Sequence, residues 1–370
     1  TGAISLMNEL GIFPTKNFQE GEFGDEDSID EEALDSLVKT RCSCAPYCPV
    51  ACLSMSELKE GEFKGLITRR PQYETVWAFG PLCGNSNLGS ILQANDLCNR
   101  LGLDTMSTGS TIAFAMECYE KKILSKDDLD GLDLSWGNYS AILHLINSIA
   151  YKRGTGSVLA EGSLRASKSI GKGSEKFVIA VKGFEMAGYD PRGAKGMGLN
   201  YATTDRGADH NRGYTIGVEC FGNPYLLDRF DYKSKPKVVK ELQDMTAVLD
   251  SLSLCAFTID LGVNDWNLLK KILKPLTGID FNLQEIGERI INVERAFNVR
   301  EGLSGKDDIL PERVWKVPMT KGGSKGATVE LDEMKSELYT LRGWSQGGIP
   351  TRIKLIELGL DKIAGDIYPS

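Results

Sequence analysis

The chain has 370 residues, with 43 Lys and Arg against 51 Asp and Glu, for a net charge of −8. At about 150 residues per domain, this length allows two to three domains and a large core. The acidic balance argues against a nucleic-acid-binding surface, and no apolar stretch reaches the roughly eighteen residues that span a bilayer. Only two His, His144 and His210, stand beside nine Cys. That excludes histidine-rich zinc centres and confines imidazole chemistry to two named residues. The cysteine count is odd, four lie between Cys42 and Cys52, and no signal peptide precedes them, so a reduced, cytoplasmic setting is expected. The sequence opens at Thr1 without an initiator Met, which suggests a piece of something longer.

In chain order, the acidic run Glu20 to Glu32 reads as a solvated surface loop. From Ser86 to Leu124 the pattern is helical: Leu88, Ile91, Leu92 and Leu97 recur at helical spacing, and a second helix runs through Ile112 to Tyr119. Helix is predicted again at Tyr139 to Lys152 and Val158 to Ile170, while KFVIAVK, Lys176 to Lys182, is the clearest strand. Gly188 to Gly213 carries six glycines among Asp, Arg and Asn, a loop-rich stretch of the kind that lines sites. Amphipathic spacing resumes at Lys235 to Leu252, Trp266 to Leu276, Leu283 to Val299 and Ser336 to Leu341. The expected fold is mainly α, two helical domains with a few short strands, divided as residues 1–178 and 179–370.

The segment RCSCAPYCPVACLS places Cys44, Cys48 and Cys52 at four-residue steps, with Cys42 as an extra neighbour. Three close thiolates with a fourth from far away is the ligand economy of a [4Fe-4S] cluster, and Cys255 in DSLSLCAF is the distant candidate. Zinc is the competing metal, but it usually needs a second close pair, which Cys220 and Cys255 do not form. Buried structural thiols are the bland alternative, and that reading is preferred for Cys83, Cys98, Cys118 and Cys220.

GIFPTKNFQEGEF, CAPYCPVAC, PQYETVWAFG, NRLGLDTMSTGSTIAFAMECYEKKIL, GSVLAEGSLRASKSIG, VKGFEMAGYDPRGAKGMGLNYATTDRGADHNRGY and LRGWSQGGIPTRIKLIELGL cover nearly the whole chain. With these segments it resembles the aldehyde ferredoxin oxidoreductases, tungsten or molybdenum pterin enzymes of anaerobes. The resemblance is to their two C-terminal helical domains, without the preceding pterin-binding domain of about two hundred residues. It implies oxidation of an aldehyde substrate to a carboxylic acid at a tungsten- or molybdenum-bispterin centre, with a magnesium ion bridging the pterin phosphates. A [4Fe-4S] cluster then passes electrons to ferredoxin. The N-terminal pterin-binding domain is a partner supplied elsewhere, and neither nucleic acid nor membrane is expected as one.

By motif, Cys44, Cys48, Cys52 and Cys255 fall on the cluster ligands. The family spacing is C-x2-C-x3-C, whereas the first gap here is three residues and Ala45 holds the usual first position. Cys44 is therefore the preferred first ligand, with Cys42 as the alternative. Two D-x-x-G-L-(D/C) segments of the family each grip one pterin. They correspond to NRLGLD, with Asn99, Leu103 and Asp104, and to DSLSLC, with Asp250 and Leu254. Asn99 replaces the leading acid and Ser253 the glycine; helix caps or solvent-facing acids are the bland alternative for Asp104 and Asp250.

Glu74, flanked by Tyr73 and Trp77, matches the family's active-site glutamate, and His210 in RGADHNRGY its active-site histidine. Both are expected to handle protons. Arg212 lies where the family has a basic pterin contact. Arg192 and Arg206 either approach an anion or tie loops to Asp190 and Asp205, the second being preferred. Some members dimerise through a metal held by a glutamate and a histidine. His144 matches that histidine, but Gln93 stands at the glutamate, so that metal is not expected, His144 reads as a helix-packing residue, and a homodimer stays open. The alternatives to an aldehyde-oxidising enzyme are an aryl-CoA reductase-type tungstoenzyme of the same superfamily and an electron-transfer or scaffold subunit of a split enzyme.

Overall fold

The computed structural model describes residues 2–42, 44, 48, 50, 52–262 and 265–368, the side chains of 259–261 excepted. Helix dominates, and the chain divides into two compact units: Thr1–Gly193 with Pro311–Thr328, and Ala194–Leu310 with Val329–Ser370.

In the first unit, β1 (Val38–Cys42), β2 (Leu53–Glu57) and β3 (Ile67–Arg69) form an antiparallel sheet in that order. Cys42 pairs with Leu53, so the cysteine segment is the connection of a β-hairpin. The helix Thr105–Glu120 is buried along almost its whole length, from Met106 to Cys118. An apolar perimeter of this kind marks a helix at the centre of a unit. The helix Tyr73–Phe79 packs closely on it: a Cβ added at Gly109 would meet the Ala78 Cβ at 2.7 Å. The helix Tyr139–Ala150 buries Ile142, Leu145, Ile146 and Ile149. That inward stripe leaves His144 exposed, so it is not the packing residue expected from the sequence.

One carboxylate stands inside this apolar packing. Glu117, fully buried, accepts from Arg313 Nη1 at 2.7 Å, from Arg313 Nη2 at 2.5 Å and from Asn17 Nδ2 at 2.7 Å. A second buried pair lies beside it: Arg192 Nη2 reaches Asp190 at 2.6 Å and the Phe18 carbonyl at 2.8 Å, while its Nη1 reaches the Arg313 and Val317 carbonyls at 3.4 Å. These bonds fasten the returning segment 311–328 to the first unit.

KFVIAVK is a strand only at β4 (Ala180–Val181), which pairs with β5 (Phe184–Glu185). Lys182 and Gly183 both take positive φ, 53° and 82°. They make a two-residue hairpin turn that ends the strand early, and Ser174–Phe177 before it is a 3₁₀ turn. The predicted helix Val158 to Ile170 is likewise split into Gly156–Leu159 and Ser163–Ile170, with Gly162 at φ 81° between.

The second unit packs Lys235–Ser251 against Leu283–Arg300, Leu331–Arg342 and Lys195–Thr203. Met245, Val248, Leu249, Leu269 and Leu283 form an apolar cluster there. Lys195–Thr203 lies inside the glycine-rich stretch read as loop, and every residue of it is buried. A helix buried on all sides has no polar face, and so leaves no amphipathic signal in the sequence. Among the described residues, no helix is long and apolar enough to cross a membrane.

Replacing Arg313 by Ala strands the Glu117 carboxylate in an apolar environment. The expected cost is about 3–5 kcal/mol, read as a lowered urea midpoint, and Arg313→Met together with Glu117→Gln should recover much of it. A native midpoint for Arg313→Ala would show that the pair does not hold the segment.

Candidate functional site

The two motif segments share one backbone device. The helix Leu88–Leu101 ends at Gly102, φ 70°, and the Leu103 N–H returns to the Cys98 carbonyl at 2.9 Å. The helix Lys235–Ser251 is followed by Leu252 and then Ser253, φ 56°, and the Leu254 N–H returns to the Leu249 carbonyl at 3.0 Å. Cys98 and Leu249 each precede the first motif residue, so the turns correspond position by position. Each is a helix-terminating elbow closed by a left-handed residue. The next helix starts at once: Asp104 accepts from the Ser107 N–H at 2.7 Å as the N-cap of Thr105–Glu120, and the Cys255 carbonyl accepts from the Thr258 N–H at 2.9 Å ahead of Ala256–Leu261.

Each elbow presents its first polar side chain at the surface. Asn99 and Asp250 are exposed, as is Asp104. Asn99 Nδ2 also donates to the Asn95 carbonyl at 2.9 Å. Leu103 and Leu254 are partly buried, and Leu254 packs on the apolar cluster of the second unit. Ser253 carries a Cβ where Gly102 has none, at a φ that disfavours one. Ser253→Gly should therefore stabilise the chain by on the order of 0.5–1 kcal/mol, read as a raised thermal midpoint. An unchanged midpoint would show that the serine hydroxyl offsets the backbone cost.

The cysteines divide by environment. Cys83, Cys98 and Cys118 are buried. Burial pushes the Cys98 thiol up to about 12, aided by Asp104, and the Cys118 thiol up to about 12, aided by Glu117. Burial raises Cys83 further still, and it raises the partly buried Cys220 to about 12. A thiol held so far from ionisation is a poor metal ligand. Cys42, Cys44, Cys52 and Cys255 are exposed and Cys48 is intermediate. Cys44, Cys48 and Cys52 belong to the hairpin connection of the first unit and Cys255 to the elbow of the second. Ala45, Pro46 and Pro49 lie outside the described residues.

Glu74 sits on the helix Tyr73–Phe79, where its Oε2 accepts from the Gly188 N–H at 2.8 Å. Tyr73 donates from its hydroxyl to the Gly188 carbonyl at 2.8 Å and stacks on Tyr189, with centroids 5.0 Å apart. Two consecutive residues thus grip both sides of one glycine. A Cβ there would lie 2.8 Å from the Trp77 ring. His210, in the second unit, packs edge-on to Tyr214 at 6.3 Å.

Arg212 and Asp250 are brought together at 3.2 Å, joined by Glu294 at 3.2 Å, which the sequence did not single out, and by Asp205 at 3.5 Å, which was expected from the sequence to pair with Arg206. Asp205 is thus the partner of Arg212, while Arg206 pairs with Asp209 instead. Arg192 pairs with Asp190 as expected. Glu294 comes from a distant helix, so no local spacing announces it. Burial opposes the Arg212 charge, yet Asp205, Glu294 and Asp250 outweigh it and raise the guanidinium further. Glu294 is raised above the ordinary glutamate range, first by burial and then by Asp205. A carboxyl protonated more readily folded than unfolded contributes stability below its unfolded value and loses it as pH rises through the folded one. Glu294→Gln should therefore gain stability over the native chain at neutral pH, with the gap closing on acidification. Urea melts at both pH values check this, and a constant gap would overturn it.

Residues 1–360 match the family described as aldehyde ferredoxin oxidoreductase, domains 2 and 3. The chain belongs to the aldehyde ferredoxin oxidoreductase family. It is similar to the tungsten-containing aldehyde ferredoxin oxidoreductase of Pyrococcus furiosus, 42% identical across 96% of this chain and 59% of that protein. The Thermococcus kodakarensis protein of the same name is 40% identical, with 96% and 59% covered. The WOR-like subunit of an aliphatic sulfonate oxidoreductase from Pyrococcus furiosus is 29% identical, with 99% and 58% covered. The chain thus spans about three fifths of the length of these relatives. Among solved structures, the active-site complex of benzoyl-coenzyme A reductase with 1,5-dienoyl-CoA shares the fold, with a TM-score of 0.72 at 22% identity over 91% of this chain and 55% of that one.

For this family the donor chemistry is apt. The cysteines of the hairpin connection and Cys255 escape the burial that disables the core thiols, and the two elbows expose amide and carboxylate groups of the kind that can hydrogen-bond a polar ring edge. Among the described residues, no three His, Cys, Asp or Glu side chains are arranged to hold a metal ion.

Proposed function

We propose that the protein acts in the oxidation of aldehydes to carboxylic acids, with electrons leaving through a [4Fe-4S] cluster to ferredoxin in the cytoplasm. The observation that carries this reading is the repeated elbow, one copy for each half of a bispterin centre. Asn99, Leu103 and Asp104 serve one pterin, and Asp250, Leu254 and Arg212 the other. When bound, the tungsten or molybdenum centre supplies the two-electron couple. Conversion of an aldehyde to an acid adds the oxygen of water and releases two protons with the two electrons. Glu74 and His210 take those protons: Gly188 fixes the glutamate through its Oε2, and the loop 205–214 carries the imidazole. Cys44, Cys48, Cys52 and Cys255 hold the cluster, and a pterin-binding domain outside these residues completes the enzyme. A second reading rests on one relative being named a subunit: this chain is then an electron-transfer or scaffold subunit of a split enzyme.

In the whole protein, Glu74→Gln and His210→Asn should each lower kcat for aldehyde oxidation by about a hundredfold or more, with iron and tungsten contents unchanged. Cys48→Ser should remove the cluster's visible absorption. Native turnover in both proton-handling variants would sink the assignment, and iron without tungsten or pterin in the purified native protein would favour the electron-transfer subunit.

A further inference from the structure

Deeper in the second unit, a chain of buried side chains ends on the backbone next to His210. Arg342, fully buried, donates from Nη2 to Gln243 Oε1 at 2.9 Å and from Nη1 to Asp244 at 2.8 Å. Gln243 Nε2 donates to Asn200 Oδ1 at 3.1 Å, and Asn200 Nδ2 donates to the Asp209 carbonyl at 3.0 Å. Asn200 is 0% exposed, Gln243 4% and Asp209 3%, so the path is closed to bulk solvent.

The chain has a direction, and chemistry fixes it at both ends. A guanidinium can only donate and a peptide carbonyl can only accept. The Gln243 oxygen must therefore face Arg342, its amide nitrogen must face Asn200, and the Asn200 nitrogen must face Asp209. The accepting carbonyl belongs to the peptide plane that joins Asp209 to His210. On the far side, the Asp209 carboxylate accepts from the Asn211 N–H at 2.8 Å, so the backbone is held before and after the imidazole. The same amides bound the loop at its other end: a Cβ at Gly213 would lie 2.5 Å from Asn200 Oδ1 and 2.9 Å from Gln243 Cγ.

We infer that Asn200 is a positioning residue for His210, its amide oriented by the buried Arg342–Gln243 relay so that it holds the loop on which the imidazole is presented. The consequence for turnover rests on the proposed role of His210; the positioning itself does not. Both arms of the test use the whole protein labelled with ¹³C at the histidine ring, in which only His144 and His210 give signals from this chain. Gln243→Glu is the directional probe. The new carboxylate keeps its bond to Arg342 but turns its other oxygen on the Asn200 oxygen, so Asn200 must flip and its oxygen then faces the Asp209 carbonyl. Asn200→Asp breaks the same link without a flip.

The expected result is a displaced His210 ring signal in both variants, an unmoved His144 signal, and a fall in kcat of about tenfold or more with a smaller change in KM. A His210 signal unmoved in folded Gln243→Glu overturns the inference, and so does loss of the fold in that variant, since it retains the Arg342 bond. A displaced signal with native turnover keeps the positioning and removes the catalytic role of His210, which separates the two failures.

Discussion

Charge that has to be neutralised inside an apolar interior is the constraint on which most of this chain depends. Glu117 lies near the end of the most thoroughly buried helix of the first unit, where an unpaired carboxylate would be costly. Its fork of bonds to Arg313, with Asn17 at the side, supplies the partner. That partner lies almost two hundred positions later in sequence, so the return of 311–328 to the first unit and the satisfaction of Glu117 are one event. The second unit repeats the scheme with Lys235 on Glu219 at 3.2 Å, Arg295 on Asp308 at 2.9 Å and Arg342 on Asp244 at 2.8 Å, all essentially buried. Removing one partner of such a pair is costly because it leaves an uncompensated charge in the interior.

The elbows show how little sequence a site device needs. A helix ends, one residue turns left-handed, an apolar residue closes the turn through its N–H, and the next helix begins. Gly102 meets that requirement without strain, whereas Ser253 meets it against the preference of its Cβ. The persistence of the turn at Ser253 argues that the helix on either side dictates it, and that the departure of the motif from glycine does not abolish its shape. Around the second elbow, Arg212 is drawn to three carboxylates at once, so the group best suited to an anion is also one that the protein has already partly neutralised.

Much of the helical architecture was legible from periodicity. The helices near Leu88, Tyr139, Lys235, Trp266 and Leu283 follow their apolar stripes because one face of each is wet. Lys195–Thr203 was not legible, since a helix buried all round has no stripe, and glycines placed for close approach look like loop residues. The hairpin carrying the cysteine segment was missed as well: β1 is mostly exposed, and β2 turns serines inward. KFVIAVK erred in the other direction, because local β propensity extended past a turn that Lys182 and Gly183 impose. His144 was expected to be a packing residue once the family's dimer metal was set aside, while the stripe on its own helix puts it outside.

By itself the sequence determined the kinds of chemistry that the chain can offer: thiols at close spacing, two histidines, two copies of a turn motif and a glycine-rich segment, each a property of residue type and order. Only the tertiary structure decided which groups meet. Burial disabled Cys83, Cys98, Cys118 and Cys220 and left the other five cysteines exposed or partly so, and folding gave Arg212 the remote Glu294 along with Asp205 while leaving Arg206 to Asp209. It also ran a buried amide path from Arg342 to the Asp209 carbonyl beside His210. The physical reason is the same in each case. Ionisation and hydrogen-bond direction depend on desolvation and on partners far away in sequence, and no local pattern encodes either.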